Sequence, residues 1–304
     1  VAIITLSALG HSPGTTTTAV AMAMGWHRPV MLVEADTSTT SSILAGRLRG
    51  QVPHLAGLTN LASAATHGEL SPSLMLANSV ELRPDRRLVP GFSTLGAARG
   101  AATFWADLLP ALGSLDAAGT DVIVDLGRCD ADDPRAALVA SADLVFVATG
   151  TTLPDIAATT AAVTGRTTRL GDLATLLDDV GHGTALRLVL IERAAENYSS
   201  AEIRRVTGLP VVGSLPYAPD AAAVHCLGVP GGTVRRGQRR AYERSVGALI
   251  DGATRAIASR RELIDPAAAS GVGPGQSAAG ADAGRDARVG GPAAWSVERR
   301  EAAR

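Results

Sequence analysis

The 304-residue chain contains no lysine, and all 28 of its Lys+Arg positions are arginine. Aromatic residues are almost as scarce, three each of Trp, Tyr and Phe making up 3%. A core must therefore be built from Val, Leu, Ile and Ala, which the 46% hydrophobic content supplies. Two cysteines, Cys129 and Cys226, show neither metal-finger spacing nor a disulfide framework, and fit a reducing cytosol. No apolar run approaches the ~18 residues of a membrane-spanning helix, and the first residues read as a strand rather than a signal peptide. A net charge of −1 exerts no overall pull on nucleic acid or anionic lipid, so any such attraction must be local. The expectation is a cytoplasmic protein without a membrane segment.

What the chain does have is concentrated between Ile3 and Asp36. An apolar β-run leads into the loop Gly10-His11-Ser12-Pro13-Gly14, and four threonines then open an Ala/Met-rich helix. A second apolar run, Val30 to Val33, ends on Glu34-Ala35-Asp36. Strand, glycine loop, helix N-terminus and strand is the plan of a phosphate-binding βαβ unit. The unpaired N–H groups of the helix start and the positive end of its dipole hold an anion. The literal G-x-x-x-x-G-K-[ST] pattern is matched by Gly14 and Thr16, but Leu9 replaces its first glycine and Thr15 its lysine.

Further along, helices are expected over 43–49, 57–66, 72–78, 103–118 (bent near Pro110), 135–141, 154–164, 171–180, 199–207, 219–227 and 239–261. Strands are expected over 80–82, 87–89, 121–125, 144–148, 186–191 and 211–215. This alternation predicts an α/β fold, a mostly parallel sheet with helices on both faces, in one domain over 1–265. Residues 266–304 are rich in Ala and Gly with scattered charge and are expected to be a disordered tail.

The order of motifs resembles the ParA/MinD family of deviant P-loop ATPases over about residues 1–260. The family loop K-G-G-x-G-K-T-T aligns with Gly10, His11, Ser12, Pro13, Gly14, Thr15, Thr16 and Thr17; its acid-x-acid strand end with Glu34-Ala35-Asp36; its Walker B aspartate with Asp125 in VIVDLGR. The stretch 186–216, and Asp220 to Gly228 followed by Val229-Pro230, also match. The resemblance implies a P-loop NTPase-like domain that binds ATP and Mg²⁺ and works as a homodimer. Its role would be a positioning or regulatory switch, with a DNA cargo or a secretion, conjugation or pilus apparatus as partner. It also implies roles: Thr16 and Asp125 at the metal, Asp36 orienting the attacking water, the loop from Gly10 to Thr17 around the phosphates. Glu192, Arg193, Pro216 and Tyr217 would lie beside the base.

The chain departs from the family at three points. Gly10 stands where the family's dimer-bridging lysine belongs, Thr15 where the phosphate-bridging lysine belongs, and Glu192 where an asparagine usually reads adenine. Phosphoryl transfer depends on positioning and on neutralising charge over the γ-oxygens, and cations that act in the transition state are worth about 10³–10⁵ in rate. With both lysines gone, binding is expected to survive better than hydrolysis. The alternative is a pseudo-ATPase scaffold that has lost nucleotide. A ligase or kinase of the same superfamily is disfavoured, because those enzymes also use the loop lysine.

Arg235, Arg236, Arg239, Arg240 and Arg244 form the densest basic cluster. They are a candidate for sequence-independent DNA contact, weighed against an ordinary solvated helix face diluted by Glu243. The small-residue stripe Val246, Leu249, Ile250, Ala253 and Ile257 reads as core packing rather than a membrane-binding helix. Trp26 and Trp105 read as core anchors, Cys226 as a small buried residue.

Overall fold

The computed structural model describes residues 1–11, 14–163, 167–193 and 197–264; the expected tail lies outside them. Eight strands form one sheet: β1 (Ile3–Ala8), β2 (Val30–Glu34), β3 (Val80–Arg83), β4 (Arg86–Val89), β5 (Asp121–Arg128), β6 (Leu144–Gly150), β7 (Leu186–Ile191) and β8 (Val211–Leu215). Their order is β3-β4-β2-β5-β1-β6-β7-β8. Every pairing is parallel except the β3–β4 hairpin.

The sheet is buried on both faces, and its strands alternate between two cores as a period of two requires. Val122, Val124, Val145, Val147, Leu188 and Leu190 face one core, which the helices Leu58–Ala65, Phe104–Gly113 and Arg169–Asp179 cover. Ile4, Leu6, Ile123, Phe146 and Val189 face the other, under the first helix Thr15–Gly25 and the closing helix Arg236–Ile264. The expected stripe on the closing helix is buried there, as is Trp26, whereas Trp105 joins Phe92 and Phe104 in the first core. Among the described residues no helix is long and apolar enough to cross a membrane.

Several boundaries differ from the sequence expectation. The first strand starts at Ile3 and runs to Ala8. The helix expected over 43–49 is only Ser42–Ala45, because Gly46 packs against the Cys226 carbonyl and Arg49 turns to a positive φ of 55°. The helix expected over 154–164 runs Leu153–Thr159 and gives way to a turn in which Ala162 pairs with Thr168. Pro110 lies inside the helix Phe104–Gly113, after which the chain tightens into a 3₁₀ turn, Ser114–Ala118. The helix Leu95–Gly100 was not expected. Cys226 is only half-buried.

Packing of the helix Pro219–Cys226 under the closing helix makes a pH-dependent contact. His225 tilts against Tyr242 (ring centroids 5.8 Å apart), and its Nδ1 is buried with no partner among the described residues. Burial, then the Arg47 guanidinium, lowers its pKa from 6.5 to about 4. The unfolded chain therefore binds a proton that the folded one refuses. The stability of this contact is whole above pH 6.5 and is lost as pH falls toward 4, a loss of about 2–3 kcal/mol. Replacing His225→Leu should flatten that part of the profile, read as the difference between urea melts of the two proteins at pH 7 and pH 4.5.

Candidate functional site

The carboxyl ends of the parallel strands open into one crevice, the place where open α/β sheets receive ligands. The first helix enters from β1 through Gly14, whose φ of +100° and ψ of 35° put it in the left-handed region. Space does not demand glycine there, since an added Cβ would meet nothing within 4 Å; conformation does. The helix has no side-chain cap at its N-terminus, so its first N–H groups face the crevice. Ser12 and Pro13, expected in the same cradle, lie outside the described residues. The loop from Gly10 to Gly14 also spells the G-x-S-x-G of a nucleophile elbow; with Ser12 undescribed, no triad can be traced through it.

Two clefts meet over this helix start and share Gly14 and Thr17. The first, about 420 Å³, is lined by Thr15, Thr16, Asp36, Ser38, Gly127 and Arg128, among others. The second, about 140 Å³, lies between Glu192 and Arg193 on one side and Pro216 and Tyr217 on the other. Of the residues expected at a nucleotide, Gly14, Thr15, Thr16, Thr17, Asp36, Glu192, Arg193, Pro216 and Tyr217 line these clefts, and Asp125 reaches the first through Thr16.

Asp125 is the most unusual group here. It is fully buried at the end of β5; Oδ1 accepts from the Gly127 N–H at 3.1 Å, and Oδ2 has no hydrogen-bond partner among the described residues. Burial pushes its pKa up to about 7, against the pull of hydrogen bonds from Thr16 and Gly127, and the charges of Glu34 and Asp36 add to the push. A carboxylate that deep is costly unless a cation joins it. Among the described residues no three His, Cys, Asp or Glu side chains cluster as a metal cage. The donors present suit Mg²⁺ instead, which takes one or two protein oxygens and completes its shell with phosphate and water.

Asp36 sits beside this group. Its Oδ1 accepts from the Ser38 N–H (2.8 Å) and hydroxyl (2.7 Å). Gly127 is required beneath it, since an added Cβ would lie 2.4 Å from the Asp36 carboxyl and φ there is +58°. The other acid of the motif, Glu34, serves the scaffold: its carboxylate accepts from Ser41, Ser42, Ile43 and Gly91 and fixes the turn after β2.

Sequence reasoning missed two groups. Arg135, only 4% exposed, donates to the carbonyls of Ala35 (2.9 Å), Leu126 (2.5 Å) and Arg128 (2.5 Å) and pairs with Asp133 (2.6 Å). It binds the ends of β2 and β5 to each other. Asp155, in the first turn of the helix Leu153–Thr159, is buried and takes Arg193 at 3.1 and 3.3 Å and Thr152 at 2.7 Å. Burial raises its pKa, but these bonds outweigh it and hold the carboxyl low. The exposed His11 lies 3.4 Å from the same carboxylate. The acid one residue after Pro154 was a readable sign of a helix start; nothing in the spacing marks Arg135.

The three departures from the family pattern have physical outcomes. Gly10 packs so tightly on the helix Leu153–Thr159 that an added Cβ would lie 2.6 Å from the Ala158 Cβ and 2.9 Å from its carbonyl carbon. A lysine at position 10 is therefore closed off as well as missing. Thr15 is buried at the wall of the phosphate-side cleft. Glu192 takes the Ser214 hydroxyl at 2.9 Å. Of the basic cluster, Arg235, Arg236, Arg240 and Arg244 are exposed, while Arg239 is half-buried and pairs with Glu243 at 3.4 Å.

No family model matches the chain, and no curated protein matches it. Solved structures do. A ParA family ATPase from Chlorobium tepidum superposes with a TM-score of 0.58 at 17% identity, covering 83% of this chain and 97% of that one. McdA from Cyanothece, in its ATP complex, gives 0.60 at 14% identity over 84% and 96%. The septum site-determining protein MinD from Pyrococcus horikoshii, complexed with Mg-ADP, gives 0.52 at 15% over 88% and 97%. From Val1 to the closing helix, the chain has the fold of the ParA and MinD ATPases.

Proposed function

We propose that this chain is a ParA/MinD-like nucleotide-dependent switch: it binds a nucleoside triphosphate with Mg²⁺, hydrolyses it weakly or not at all, and positions or partitions a cargo. The observation that carries the reading is the buried Asp125 carboxylate, with one oxygen unpartnered, beside Thr16 at an uncapped helix N-terminus. The N–H groups at the helix start would hold the phosphates, and Thr16 and Asp125 would hold Mg²⁺ directly or through its water. Mg²⁺, when bound, supplies charge neutralisation across the phosphate oxygens. Asp36, steadied by Ser38, would orient water. The exposed Arg128 lines the phosphate-side cleft, and its side chain has no partner among the described residues; it is the cation free to meet a phosphate. Arg193 is not, being engaged by Asp155.

A cytoplasmic homodimer with the arginine cluster turned to DNA phosphates, or to a protein of a secretion or pilus apparatus, completes the reading. A second reading is favoured by the closed position at Gly10: a scaffold that keeps the fold and has lost nucleotide. Calorimetric titration with Mg²⁺ and nucleoside triphosphates separates the two. Binding is expected, and Thr16→Ala or Asp125→Asn should weaken it by about 10–100-fold, the scale for groups that support a metal. Asp125→Asn removes a buried charge, so folding should hold while binding falls. Heat release that is absent in the unmodified protein, or unchanged in both variants, would leave the scaffold reading standing.

A further inference from the structure

Beyond the phosphate-side cleft, the smaller cleft holds a feature that the nucleotide reading leaves unused. Its walls are apolar, built from Ile191, Leu215, Pro216, Ala218 and Ala222. Set into them is one carboxylate, Glu192, at the end of β7. Its backbone N–H donates to the Leu215 carbonyl at 2.9 Å, which ties the residue to the end of β8. Oε1 accepts the Ser214 hydroxyl at 2.9 Å; Oε2 has no partner among the described residues. The neighbouring cation does not neutralise it, because the Arg193 guanidinium is spent on Asp155 at 3.1 and 3.3 Å.

An ionised carboxylate offers acceptors only. Guanine presents two adjacent donors, N1–H and the N2 amino group, and fits such a pair of oxygens. Adenine presents a donor, N6–H, beside an acceptor, N1, and the acceptor is repelled. Cytosine likewise sets an acceptor next to its amino group, and uracil flanks its single N–H with two carbonyls. The phosphate-side and base-side clefts share Gly14 and Thr17, so a nucleotide with its phosphates on the helix start would present its base edge to Glu192. We infer that Glu192 is a specificity-determining residue that selects a guanine nucleotide over an adenine nucleotide. This rests on the nucleotide reading above.

The test is competitive calorimetry of the full chain with GDP and ADP in Mg²⁺, alongside Glu192→Gln. Good bidentate recognition of a base is worth about tenfold or more, so GDP should bind at least about tenfold tighter than ADP. The amide of Glu192→Gln offers one donor and one acceptor, and should lower GDP affinity while raising that of ADP. A merely structural role would weaken both alike and leave the ratio unchanged, which would overturn the inference. Equal affinities, or ADP the tighter, in the unmodified protein would also overturn it while sparing the nucleotide site. Binding of neither would overturn both.

Discussion

Replacing Arg135→Met should cost about 3–5 kcal/mol, the scale for breaking a buried charge network from one side. The guanidinium is almost wholly out of water and spends its donors on three carbonyls and on both oxygens of Asp133. Although burial disfavours the cation, its hydrogen bonds to Asp133 hold it charged. Removing it leaves the carbonyls of Ala35, Leu126 and Arg128 and the carboxylate of Asp133 without their donor. Lysine is no substitute, since one ammonium cannot span donors set out in a planar fork. The same bonds hold β2 and β5 together where they carry Asp36 and Asp125. Arg135→Lys, if folded at low temperature, should therefore also lose Mg²⁺ dependence of nucleotide binding. Urea melts measure the first effect, and a midpoint unchanged from the unmodified protein would show that the strand ends are held by something else.

Restoring lysine to the loop should give opposite results at its two positions. Thr15 lines the phosphate-side cleft at the helix start, so Thr15→Lys brings an ammonium to the phosphates. A charge-assisted hydrogen bond worth about 1.5–3 kcal/mol translates to roughly ten- to hundredfold tighter binding. Sequence alone suggests that Gly10→Lys would then raise the rate in a dimer. The structure corrects this: with Ala158 at 2.6 Å from any Cβ, the substitution forces the loop off the helix Leu153–Thr159. It should destabilise by about 1–3 kcal/mol and add no rate. Titration calorimetry and thermal melts of both variants check the pair. A Gly10→Lys protein as stable as its parent would show that the loop moves freely.

The fold was legible because each sheet strand is a short Val/Ile/Leu run, broken by glycine or proline and alternating with helical periodicity. Strand ends at Val33, Asp125 and Ile191 could be read to within a residue or a few. The helix at 154–164 was overextended because Ala and Thr after Thr159 carry no stop signal of their own; the break comes from the Ala162–Thr168 pairing. At the site, residues with motif spacing were readable and the framework around them was not. Asp155 and Arg193 are 38 positions apart, and Arg135 reaches Ala35 across 100. No local pattern records such bonds, and no pattern shows that Gly10 is shut by Ala158.

The central claim is that amide dipoles, Mg²⁺ and a single free arginine hold a nucleotide without cleaving it. Single-turnover hydrolysis, with the full-length protein in excess over radiolabelled GTP or ATP and Mg²⁺ saturating, tests it most directly. The account predicts that the bound nucleotide is recovered as triphosphate after hours, and that Arg128→Ala weakens its binding without changing its fate. Prompt conversion to diphosphate by the unmodified protein, abolished by Asp36→Ala, would contradict it.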